Sequence, residues 1–291
     1  MRKSKNKNSL QTLQTLQGIK DKQCTFFYNF AFLIFNIRKA FNYNIFRKIV
    51  KSIKTIHTSR TIMFAELEKV MDYSIESDNY QKSLDFNVIG KKSADGIKKT
   101  TNFLKLLYGF DNQSNQFKAF KYFWKIAENE EKSLIALLYA IGNDYLLEES
   151  IPVVADTKLG DKVLIEKVEQ NIEANYPNKF SSKTLRSMAQ NIASSWKQAG
   201  FITGKVKNLR TQPKISSNIV AFAFFLAFLD GDRGDFILES KWVKALFLSD
   251  AKIRELASQA SLRDLLQYQY AGNVTSISFS NLIKKLEIND I

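Results

Sequence analysis

Residues 181–212, SSKTLRSMAQNIASSWKQAGFITGKVKNLRTQ, read in succession as a helix, a glycine turn and a short basic hairpin. Ser181 or Ser182 can cap the helix, because a side-chain hydroxyl accepts one of the free N–H groups of the first turn. Leu185, Met188 or Ala189, Ile192, Trp196 and Ala199 recur every three to four residues, the spacing of one buried helix face. The opposite face presents Lys183, Arg186, Gln190 and Lys197, with Asn191 and Ser194 beside them. Arg and Gln are side chains that read base edges in a major groove, and Lys neutralises phosphates. After Ala199-Gly200, Phe201-Ile202 can pair as a strand, and Lys205, Lys207 and Arg210 follow on a hairpin or loop. This is the outline of a winged helix-turn-helix with residues 182–199 as its recognition helix. A basic helix face is more often plain solvated surface, and Trp196 suits a core.

The surrounding charge sharpens the choice. Between Glu173 and Asp230 there is no acidic residue, and eight basic ones lie there: Lys179, Lys183, Arg186, Lys197, Lys205, Lys207, Arg210 and Lys214. The whole chain has a net charge of +14, but this global figure misleads. Residues 1–62 hold thirteen Lys and Arg against the single acid Asp21, leaving 30 basic and 28 acidic residues in 63–291. The body is nearly neutral, so the acid-free stretch is a local field.

Residues 1–62 also hold Cys24 and His57, the only cysteine and histidine of the chain. With one cysteine no disulfide framework is possible, and a reducing, cytoplasmic setting fits. A body beginning at Met63 has no His–carboxylate pair, no Cys nucleophile and no His or Cys metal ligand, so the expectation is a binder, not an enzyme, with no cofactor and no metal. The apolar run TFFYNFAFLIFNI, residues 25–37, is shorter than the ~20 residues a spanning helix needs. It also lacks the small-residue cleavage pattern of a signal peptide. The expectation for residues 1–62 is a disordered or non-native basic extension upstream of a start at Met63. A helical arm and a basic amphipathic membrane-surface helix are the alternatives, and membrane contact is the least favoured.

In the rest of the chain Pro is scarce and apolar periodicity is long-ranged, which predicts a mainly α protein. Helices are expected at 64–72, 94–107, 116–128, 131–142, 143–150, 161–173, 182–199, 218–229, 239–246, 250–260 and 262–268. Short strands are expected at 200–206 and 274–279. A soft boundary at Tyr176-Pro177-Asn178 divides a helical bundle, 63–176, from the winged-helix-like module, 177–291. IVAFAFFLAFL, residues 219–229, is closed off by Asn218 and Asp230 and reads as a central core helix.

A second basic cluster is Lys91-Lys92-Ser93 with Lys98, Lys99 and Lys105, where Ser93 caps a helix and Lys91 and Lys92 flank its free N–H groups. That is a phosphate site or simply a capped surface helix. Asp230-Gly231-Asp232-Arg233-Gly234-Asp235 lacks the glutamate a Ca²⁺ loop needs at its twelfth position, so it reads as a turn. GxxxxGK[ST], GxGxxG and GxSxG motifs are missing from the body.

The order of these segments resembles a known family. It runs from Lys91–Ser93 with Lys98-Lys99, through LIALLYA (134–140) and Asp144-Tyr145-Leu146-Leu147, to FSSKT (180–184), QAGFI (198–202) and LRTQP (209–213). The pattern, spanning residues 89–214, is similar to BrxA, the small helical component of BREX phage-defence systems. The resemblance implies a DNA-binding helical protein of helix-turn-helix type, with Lys183, Arg186 and Lys197 on its DNA-facing helix. Residues 231–291 depart from that pattern and read as an added helix-plus-strand module. The leading expectation is a non-enzymatic protein that binds double-stranded DNA, among other defence-complex proteins. The alternative is a scaffold or adaptor whose apolar helices and Tyr268-Gln269-Tyr270 serve protein contacts.

Overall fold

The computed structural model describes residues 55–272 and 274–288. The fold is mainly helical with a few short antiparallel strands. A 3-10 turn, Ile56–Thr58, leads into α1 (Phe64–Ser74), α2 (Tyr80–Asp85), α3 (Ala94–Tyr108), α4 (Asn115–Ile126), α5 (Asn129–Asn143), α6 (Tyr145–Glu149), α7 (Ile151–Ala155), α8 (Ile165–Asn175) and α9 (Ser182–Gln198). The hairpin β1 (Ile202–Thr203) and β2 (Leu209–Arg210) follows. Then come α10 (Ser217–Leu229), α11 (Asp235–Leu238), α12 (Lys241–Lys244), α13 (Asp250–Leu262), the hairpin β3 (Gln267–Ala271) and β4 (Val274–Ser278), and α14 (Ser280–Lys285).

The apolar run expected to be a core helix is α10. Ser216 accepts a hydrogen bond from the Ile219 N–H at its start, and every residue from Ser217 to Phe228 is buried. A helix apolar on all sides must be surrounded, and α10 packs against α4, α5, α12 and α13. Phe222 meets Phe123 with ring centroids 5.1 Å apart, and Phe225 meets Phe279 at 4.8 Å. Its thirteen residues span about 20 Å, and no helix among the described residues is long and apolar enough to cross a membrane.

Three expectations are corrected. First, the extension does not end at Met63: residues 55–62 belong to the compact unit Thr55–Ile291, with Ile56, His57 and Ile62 buried. Residues 1–54, with Cys24 and the apolar run 25–37, lie outside the described residues, so those readings stop there. Second, Tyr176 is no domain boundary. It lies within that same unit, between two helices packed on each other, α8 and α9. Its ring is buried, and its hydroxyl donates to Glu149 at 2.6 Å. Third, no helix covers 262–268. Asp264, at φ 57, ends α13, and residues 267–271 pair with 278–274 as an antiparallel hairpin. The alternating Gln-Tyr-Gln-Tyr segment takes the partner that tertiary structure supplies.

The remaining elements follow the sequence closely. Ser93 caps α3 and Ser181 caps α9, each through its hydroxyl. Residues 230–234 form a turn, in which Arg233 donates to the Phe228 and Asp232 carbonyls. Helices α2, α7, α11 and α14 are too short to leave a periodic signal.

Candidate functional site

Helix α9 buries Met188, Ala189, Ile192, Ala193 and Trp196. On its outer side Lys183, Ser187 and Gln190 are exposed, and Ser194 and Lys197 half-buried. These five recur at spacings of four, three, four and three, so they form one stripe along the helix. Gly200, at φ 82, turns the chain into the β1–β2 hairpin. Gly204 and Asn208 close the hairpin tip in the left-handed region, at φ 84 and φ 48; glycine, and to a lesser degree asparagine, tolerates it. Between them Lys205, Val206 and Lys207 project into solvent, Val206 at 81% exposure. No carboxylate among the described residues pairs with Lys183, Lys197, Lys205 or Lys207.

Arg186 stands differently. Its guanidinium binds Glu166 at 2.8 Å and Glu169 at 3.0 Å, both on α8. The Arg186 hydrogen bond is the main cause holding the Glu166 carboxyl below its ordinary range, and Glu166 and Glu169 in turn raise Arg186. Arg186 thus sits at the α8–α9 seam with its charge already answered. Asn191, expected beside the open face, instead donates to the His57 carbonyl at 2.9 Å.

Arg210 is a clear correction. It is 3% exposed. Its guanidinium lies over the Phe247 ring at 4.6 Å and the Phe201 ring at 5.4 Å. It donates to the carbonyls of Val154, Phe201 and Thr211. Burial lowers its pKa from the ordinary arginine value. The cross-strand register explains the placement: Arg210 pairs with Ile202, and cross-strand partners share a sheet face. Ile202 faces the core, so Arg210 does too. Replacing Arg210 by alanine is expected to cost on the order of 2 kcal/mol or more, because buried carbonyls lose their donors. Lys205→Ala should stay within about 0.5 kcal/mol. Urea melts of the two variants compare them directly, and equal midpoints would sink the distinction.

The second basic cluster is partly engaged, two of its five lysines by carboxylates. Lys91 binds Glu66 at 2.7 Å, Lys99 binds Asp95 at 2.8 Å, and Lys105 donates to Gln81 at 2.6 Å. Lys92 and Lys98 remain exposed. The expected phosphate site at the start of α3 keeps its capped N-terminus but loses Lys91 to an ion pair.

The structure also assembles a group that has no local signature. His57 Nδ1 lies 2.8 Å from Asp144 Oδ2, and His57 Nε2 lies 2.9 Å from Ser195 Oγ. The order Ser–His–Asp is that of an acyl-transfer triad. Here, though, His57 and Ser195 are 0% and Asp144 2% exposed. Ser195 Oγ already donates to the Asn191 carbonyl and accepts from the Ile62 N–H. No face of the hydroxyl is open to a substrate, and the group works as a latch. Asn191, Ser195 and Gln198 form a second stripe of α9, and Gln198 bonds Phe64 N–H and Thr61. Through these contacts residues 57–64 are strapped along α9. Burial alone would raise the Asp144 carboxyl; the charge and hydrogen bond of His57, with Thr55 and the Leu147 N–H, outweigh it and hold it low.

Among the described residues no group of three or more His, Cys, Asp or Glu is arranged to hold a metal ion. Compared with protein-family models, with curated proteins and with solved structures, the chain finds no match.

Proposed function

We propose that this protein binds double-stranded DNA, without catalysing a reaction, through a winged helix-turn-helix formed by residues 145–213. The observation that carries this reading is the set of lysines without a carboxylate partner among the described residues on the outer stripe of α9 (Lys183, Lys197) and at the hairpin tip (Lys205, Lys207), in a stretch of chain that holds no acid. The element order supports it. Helices α6 and α7 precede a single antiparallel bridge, Lys162 to Leu209, followed by α8, α9 and the β1–β2 hairpin. The bridge sets Lys162 beside β2; in this reading the hairpin is the wing, α9 the groove helix and α8 its support.

Duplex affinity should fall linearly with the logarithm of salt, with a slope of roughly −0.9 per phosphate neutralised. Replacing Lys183, Lys197, Lys205 and Lys207 together by glutamine should therefore flatten the slope by roughly 3 to 4. The glutamate counterparts should abolish a gel shift while leaving the melting temperature intact. A quadruple glutamate variant that shifts DNA like the parent overturns the assignment.

The setting in a phage-defence complex rests on the BrxA-like order of residues 89–214 alone. Plaque counts in a host carrying such a system, with and without this chain, test it; unchanged counts reject it. An adaptor role gains support instead if the intact protein shows no duplex affinity at physiological salt. Leu262, Tyr270 and Val274, all exposed, would then be the first side chains to probe.

A further inference from the structure

We infer that Gln190 is the specificity-determining residue of α9 and that it selects an adenine in the major groove; this rests on the DNA-binding reading above. Helix α9 carries three amide side chains, and two are committed to the strap. Asn191 donates to the His57 carbonyl, and Gln198 bonds both the Phe64 N–H and Thr61. Gln190 is exposed, and no hydrogen bond to another described residue engages it. Arg186, which could otherwise pair with a guanine, is held by Glu166 and Glu169 on the neighbouring helix.

The neighbours of Gln190 along the stripe are Ser187 and Ser194, one turn to either side. Both are short, so the amide stands above its surroundings and the helix backbone can approach the groove floor. Lys183 and Lys197 each lie seven residues away, about 10 Å along the axis at 1.5 Å per residue. The two lysines are thus about 21 Å apart at the ends of the same stripe, where their long side chains can reach phosphates beyond the contacted base pairs while the central amide faces the bases. A glutamine amide, with one donor and one acceptor, matches adenine N7 and N6 in a bidentate pair; guanine offers two acceptors there and leaves the amide oxygen facing an acceptor.

The test is selection from a pool of duplexes with randomised central base pairs, using the full chain. The parent should enrich one adenine position roughly 5- to 100-fold over the other bases. Gln190→Ala should lose that preference, its affinity for the selected duplex falling to that for unselected duplex, with its melting temperature unchanged. Arg186→Ala should retain the adenine preference. An adenine preference that survives Gln190→Ala overturns the assignment, as does one that disappears with Arg186→Ala. A parent that binds duplex with steep salt dependence but selects no adenine overturns the assignment and leaves the DNA-binding reading standing. A parent that binds no duplex at all rejects both.

Discussion

Replacing Asp144 by alanine is expected to destabilise the fold by about 3 kcal/mol or more, because several buried donors lose the one acceptor they share. The carboxylate ties two segments together. It accepts from Thr55 Oγ1, the Ile56 N–H and His57 Nδ1 on the strap, and it caps α6 through the Leu146 and Leu147 N–H groups. Alanine leaves these five donors without that acceptor. Urea denaturation measures the loss, and a cost below about 1 kcal/mol would mean that the strap is held by its apolar residues alone.

A pH dependence follows from the same group. The native Asp144 carboxyl titrates below its ordinary value. A carboxyl whose pKa is depressed on folding contributes stability that is fully present above the unfolded value and is lost as pH falls through the native one. The stability gap between the parent and Asp144→Asn should therefore be constant near neutrality and close in the acid range. A gap that widens with acid would contradict the linkage.

Trp196→Ala should cost about 3–5 kcal/mol as well, through a cavity in place of a fully buried indole. The ring lies 5.4 Å from both Phe201 and Phe247, and its Nε1 donates to Ser150 Oγ at 2.7 Å. It thus joins α9 to the β1–β2 hairpin and to the α6–α7 junction. Trp196→Phe keeps most of the filling and loses the hydrogen bond, for an expected cost of about 1–2 kcal/mol. Calorimetry on the pair separates the two contributions. Equal losses would show that the hydrogen bond, not the volume, dominates.

The helical part of this fold was legible because long helices announce themselves by spacing. Residues 94–107, 182–199 and 218–229 each show the three-to-four repeat or the unbroken apolar run, and their ends carry hydroxyl caps. Segments of four to six residues, such as Asp235–Leu238, fall below that period. The hairpin Gln267–Ala271 with Val274–Ser278 was half seen: β4 alternates, whereas β3 became a strand only by pairing with it.

The candidate site divides in the same way. That residues 174–229 lack acids, and that Lys183, Gln190 and Lys197 share one helical face, follows from the sequence by itself, because a helix of fixed period places them there. Which of those charges are free was decided only by tertiary structure. Glu166 and Glu169 claim Arg186 from a neighbouring helix, Glu66 claims Lys91, and the Ile202 register turns Arg210 inward. The histidine that local reading assigned to a dispensable extension lies 87 residues from Asp144 and 138 from Ser195. Chain spacing carries no information about such meetings. They are set by which surfaces can be buried together, and a buried polar group keeps its place only where the fold brings it a partner.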